Sequence, residues 1–267
     1  ALEALGFALT PYSGQATPEG PTGTANRCVM LEQGYLELLA PVSDTPHARR
    51  TREAMARYTG VHILALGTPD AQAERARLER HGFAPLPTVD LERGVNFEGE
   101  THRARFGVVR VPPEAMPEGR VQFVEHRTPE LLWQARWLAH ANGVTGLAAV
   151  FVVANDPAAV AARYARFAAL APRPAGALVR LPTARGEVVL GRRKDLARLL
   201  GDAPAAPALA GYALACRDAR KLLARCRRAG VVARARGKLY SASLPPALGS
   251  AWLFGSRSGI TRFLEGA

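Results

Sequence analysis

A chain of 267 residues, 48% hydrophobic and 22% charged, has an ordinary globular composition and fits one large domain or two of about 130 residues. No run approaches the ~20 apolar residues of a membrane span. Three cysteines (Cys28, Cys216 and Cys226) without a CxxC spacing argue against a disulfide framework or thiolate zinc site and for a reducing, cytoplasmic setting. The net charge is +12, yet 32 of the 35 basic residues are arginine, a skew that with the abundant alanine fits the codon usage of a GC-rich genome. The densest basic stretch, RDARKLLARCRRAG followed by RARGK, lacks the interleaved aromatics of a single-strand binder, so nucleic acid is a disfavoured partner.

The chain opens with LEALGFALTP and nearly repeats itself at 78–87 with LERHGFAPLP. Two strand-like runs follow the opening, ANRCVMLEQ and YLELLAPV. Residues 61–87 then read as a complete strand, helix and strand. VHILAL is the first strand, Asp70 is placed to cap a helix, and Gly82 ends it because glycine adopts a left-handed conformation easily. HRARFGVVRV and VQFVEHR are the next two strands. The plan recurs at 146–170, continued by ALVRLPT and GEVVLGR. It recurs again at 209–236, continued by KLYSASL and SAWLFGS. Asp218 and Gly230 both stand 148 residues after Asp70 and Gly82, so the register holds through the helix.

The expected fold class is therefore α+β: four βαβββ modules paired into two half-open curved sheets. The first module is incomplete at its N-terminus, since the strand and most of the helix matching 61–81 would lie ahead of Ala1. Such a sheet would leave a bare edge unless another chain covered it. The expected division is 1–140 for an N-terminal pair with the cavity and 141–267 for a C-terminal structural pair.

Paired βαβββ units carrying GFALTP, ANRCVMLEQGYLELLAP and EHRTPELLW…HANGV resemble the vicinal oxygen chelate superfamily, and more closely its glyoxalase-like branch. The resemblance implies a cavity in each curved sheet. It also implies a divalent metal held by the first strand of a unit, usually through histidine, and by the last strand, usually through glutamate. Carried over by position, it implies Glu37, His62 and Glu125 as metal ligands, with Glu125 also the proton-moving residue. Imidazole and carboxylate donors suit zinc, nickel, manganese or iron without choosing among them. In the C-terminal pair the matching positions are Ala210, Ala148 or Ala149, and Phe254, so that pair reads as metal-free.

Tyr35 shares a strand face with Glu37 and Leu39, and Arg27 is suited to an acidic substrate group, so both are candidate substrate-binding residues. Glu125 and His126 point to opposite faces of their strand. The alignment of YLE with FVE puts Glu125 in the cavity and leaves His126 to bind a loop or the substrate. His47, His81 and His102 read as surface residues and Cys28 as packing. Three functions follow as expectations. They are a metal-dependent lyase or isomerase of glyoxalase type acting on a small oxygen-chelating substrate, a non-catalytic small-molecule binder lined by Tyr35, Phe106 and Phe123, and a ring-cleaving dioxygenase. A homodimer is compatible with each.

Overall fold

Aspartate caps mark the repeats. Asp70 accepts from the amides of Gln72 and Ala73, Asp156 from those of Ala158 and Ala159, and Asp218 from that of Arg220. Each satisfies donors that a helix start otherwise leaves open, worth about 1 kcal/mol. Gly82 and Gly230 end the helices after Asp70 and Asp218 with φ of 80° and 69°.

The computed structural model describes residues 1–245 and 248–266. In chain order the first half contains β1 (Ser13–Thr17), β2 (Gly20–Met30), β3 (Tyr35–Pro41), α1 (Pro46–Arg57), β4 (Ile63–Gly67), α2 (Ala71–Arg80), β5 (Val89–Phe97), β6 (Glu100–Arg110), β7 (Arg120–His126) and the short α3 (Ala135–Leu138). The second half contains β8 (Val144–Val153), α4 (Pro157–Ala168), β9 (Arg173–Ala175), β10 (Leu178–Pro182), β11 (Glu187–Gly191), α5 (Arg193–Leu200), β12 (Ala208–Cys216), α6 (Ala219–Arg228), β13 (Ala233–Arg236), β14 (Leu239–Ser243), β15 (Ala251–Gly255) and α7 (Arg257–Glu265).

These strands form two sheets, ordered β3-β2-β1-β5-β6-β7-β4 and β13-β14-β15-β12-β8-β11-β10-β9. In each complete module the first strand runs parallel to the last: β4 with β7, β8 with β11 and β12 with β15. The modules meet differently in the two sheets. The first strands β8 and β12 pair at the centre of the second sheet. The first sheet is joined through a short contact of β1 with β5, Gln15 opposite Arg93 and Ala16 opposite Glu92. Its outer strands are β3 and β4, and among the described residues no strand pairs with the free edge of either.

The strands alternate as a half-buried sheet requires. In β4, β6 and β7, Leu64, Val109, Val121 and Phe123 face α2 and the second sheet, where they pack with Val152, Tyr164, Phe167 and Leu190. The far side of the second sheet is filled. Leu196, Leu199 and Leu200 of α5 and Ile260 and Leu264 of α7 pack onto Phe151, Val153, Val189, Ala213 and Leu253. This is the face opposite the crossover helices α4 and α6, which corresponds to the cavity face of the first sheet.

Candidate functional site

The two outermost strands of the first sheet line one cavity, β3 through Tyr35, Glu37 and Leu39 and β4 through Ile63 and Ala65. A sheet whose edges face one space is curled around it. The cavity holds about 820 Å³, counting the space at its open mouth. Helix α1 joins β3 to β4 and adds His47 and Thr51 to the lining. The remaining walls alternate between apolar residues (Val89, Leu91, Phe106, Val108 and Val124) and polar ones (Gln15, Thr22, Thr24, Asn26, Arg93, Arg110, Arg120 and Gln122).

Glu37 lines the cavity. Its Oε1 accepts from Gln15 Nε2 at 3.1 Å and, by a shorter bond, from Asn26 Nδ2. Two donated hydrogen bonds fix the carboxylate although it remains exposed to solvent at the mouth. Tyr35 also lines the cavity, and its hydroxyl meets His126 Nε2 at 3.2 Å. The His126 ring packs edge-on against Tyr35, Phe106 and Trp133. Burial first, then Arg185 and Arg93, lower its pKa to about 4, so it is neutral at pH 7.

Glu125, His62 and Arg27 lie elsewhere. Glu125 is on the helix side of β7, over Gly107 and against Ala71, where a Cβ at position 107 would meet its Oε2 at 2.7 Å. Arg127 Nε is 3.3 Å from the same oxygen. The YLE–FVE alignment is out by one residue, and in a strand one residue exchanges the faces. His62 donates to or accepts from nothing in the cavity. Its Nε2 meets the carbonyl oxygen of Tyr58 at 2.9 Å and its ring lies tilted by 33° against that of Tyr58. The residues of this strand that do face the cavity are Ile63 and Ala65. Arg27 alternates with Asn26 and Cys28, turns outward, and pairs with Glu3 at 3.0 Å. Phe123 packs on Phe167 outside the cavity. Glu37, His62 and Glu125 are thus not brought together. Among the described residues no three His, Cys, Asp or Glu side chains gather where they could hold a metal ion.

Sequence reasoning missed the arginines. Arg93 is buried, stacks on Phe106 with its guanidinium 6.0 Å from the ring centroid, and lies 3.5 Å from Asn26 Oδ1. Arg110 ends β6 and Arg120 starts β7 on the neighbouring strand, where Arg110 pairs with Gln122. Burial, then Arg120 and Arg50, push the Arg110 pKa down to about 10; burial and Arg50 also lower that of Arg120. His47, read as a surface residue, has its pKa lowered by burial and by Arg110, Arg50 and Arg120. The alternation of RVQFVEH contained the signal: Arg120, Gln122 and Val124 share the face that Glu125 lacks. Cys28 lines the cavity, but burial raises its thiol to about 12, so it is no thiolate nucleophile.

Comparison with known proteins agrees with this architecture. A hypothetical protein from Staphylococcus aureus superposes with a TM-score of 0.65 at 12% identity, over 94% of this chain and 90% of its own. A catechol 2,3-dioxygenase gives 0.55 at 10% identity, over 96% and 89%. The Mn(II)-bound glyoxalase from Novosphingobium aromaticivorans gives 0.51 at 10% identity, over 88% and 71%. At such identities the likeness is one of fold. No curated protein matches the sequence significantly. The sequence profile of the glyoxalase-like domain matches residues 1–168, and with this fold the chain belongs to that family, within the vicinal oxygen chelate superfamily.

Proposed function

We propose that the protein binds a small, oxygen-rich molecule in the N-terminal cavity, without a metal, and that Glu37 accepts a hydroxyl or a proton from it. The observation that carries this reading is the carboxylate itself, fixed by Gln15 and Asn26 inside a cavity otherwise walled by apolar and donor side chains. A carboxylate held in place can orient a ligand hydroxyl and, at suitable geometry, take its proton.

The metal-dependent lyase or isomerase is less well supported. Structural neighbours include a Mn(II)-bound glyoxalase. Here, however, Glu37 is the one carboxylate among the described lining residues, two amides already donate to it, and its charged neighbours are cationic. That donor set does not fit a divalent cation. The ring-cleaving dioxygenase is disfavoured if its iron belongs in the C-terminal pair, because α5 and α7 fill that face.

The test combines elemental analysis of the purified protein with a thermal-shift screen of vicinal diols, 2-oxoaldehydes and hydroxy acids, run beside Glu37→Gln. The expected result is no stoichiometric transition metal and at least one ligand whose stabilisation is lost in Glu37→Gln. One equivalent of metal lost in that variant would overturn the reading in favour of the lyase.

A further inference from the structure

We propose that the cavity contains an anion subsite, formed by Arg110 and Arg120 of the sheet with His47 of α1, that takes the phosphate group of a small phosphate monoester. The inference rests on the cavity being a ligand site and adds the chemical class of its ligand.

Placement is the first argument. Arg110 and Arg120 occupy adjacent strands at one end of the sheet, both line the cavity, and the first turn of α1 brings His47 to the same lining. Arg110 and Arg120 also act electrostatically on His47, in keeping with the three sharing one lining.

Partnership is the second. Among the described residues neither Arg110 nor Arg120 makes an ion pair or side-chain hydrogen bond, and Arg110 Nε is fully buried without a partner. A buried donor left open costs stability, and clustered guanidiniums repel. A fold that holds them so gains when an anion arrives.

The third is that the cluster is not overflow from a basic surface. Residues 141–267 carry 20 basic and 6 acidic side chains, whereas 1–140 carry 15 and 17. In a half that is slightly acidic, Arg93, Arg110, Arg120 and His47 still line one cavity, in which Glu37 is the one carboxylate among the described lining residues.

Charge and geometry select the class. The lining arginines Arg93, Arg110 and Arg120 against the lining carboxylate Glu37 leave two positive charges, which a dianionic phosphate monoester neutralises and a lone carboxylate does not. Guanidinium forks match phosphate oxygens in pairs. The rest of the ligand would extend toward Glu37 and Asn26.

The experiment is calorimetric titration of the whole protein with inorganic phosphate, glycerol phosphate and acetate at low ionic strength and pH 7. Wild type is compared with Arg110→Gln, Arg120→Gln, Arg120→Lys, Glu37→Gln and the outward-facing control Arg27→Gln. Circular dichroism confirms that each variant is folded. We expect both phosphates to bind and acetate to bind at least tenfold more weakly. Arg110→Gln and Arg120→Gln should each weaken phosphate at least tenfold, and Arg120→Lys should fall between. Arg27→Gln should change nothing, and Glu37→Gln should leave inorganic phosphate binding intact or tighter. Phosphate affinity unchanged in both arginine-to-glutamine variants, or no phosphate binding at all, overturns the subsite. Preferential acetate binding overturns the phosphate class. If phosphate fails while an uncharged ligand still binds in a Glu37-dependent way, the subsite falls and the ligand cavity stands; if neither binds, both fall.

Discussion

The two sheets treat the same face in opposite ways. In the second sheet α5 and α7 fill it with leucine, isoleucine and alanine, and its one buried arginine, Arg180, is answered by Glu187 through Nε–Oε2 at 2.6 Å and by Glu265 of α7 at 3.3 Å. Burial alone would lower the Arg180 pKa, but these carboxylates outweigh it and raise it. In the first sheet α1 covers the face only in part and leaves a cavity, and among the described residues Arg110 and Arg120 have no such answer. The second sheet answers its buried arginine internally. Burying a charge requires a partner, and on the reading proposed above that partner is a side chain in one sheet and a ligand in the other.

That contrast can be broken at several points. The largest effect is expected from Glu187→Gln, which leaves Arg180 buried with only the more exposed Glu265 beside it. A loss of about 3–5 kcal/mol in urea unfolding is expected, as for other buried pairs stripped of one partner. A loss under ~1 kcal/mol would mean that the second sheet does not depend on internal pairing. Leu196→Ala, at a fully buried position in α5, should cost about 2–5 kcal/mol by leaving a void between helix and sheet. The same measurement reads it.

Acid should act on the first sheet through His126. Its folded pKa of about 4 lies below the 6.5 of an unperturbed histidine, so the unfolded chain binds this proton first. Stability is fully present above pH 6.5 and falls as pH drops toward 4, by an amount of the order of 3 kcal/mol for this group. His126→Phe should remove that part of the slope. Urea midpoints of both proteins at pH 7 and pH 4.5 provide the check, and parallel slopes would refute it.

The smallest effect is expected where the chain holds unanswered charge. Arg120→Gln should leave stability within about 0.5 kcal/mol or raise it, since it relieves repulsion with Arg110 and Arg50. A loss above 2 kcal/mol would show that Arg120 is structural after all. Thiol chemistry sharpens the comparison without mutation. Burial raises Cys28 and Cys216 to about 12 and Cys226 to about 11, so none should react with a disulfide reagent at pH 8 until the chain unfolds. Rapid labelling of one thiol in the native protein would reveal local opening of its sheet.

The repeats were legible because local chemistry writes them. The aspartates at 70 and 218 and the glycines at 82 and 230 act within a turn of their own positions, and the structure finds each where the sequence places it. Glu37 was legible because its strand alternates cleanly with Tyr35 and Leu39. Glu125 and His62 were misplaced because strand faces differ by a single residue, and an alignment of short motifs does not hold register that finely. The sequence by itself determined the module plan, the strand and helix types, and the cavity carboxylate, all properties of neighbouring residues. Only the tertiary structure decided that the first sheet curls until β3 and β4 share a space, that α5 and α7 close the corresponding face of the second, and that Arg110, Arg120 and His47 line one cavity. These residues lie on separate elements, and nothing local fixes the distance between elements; packing does.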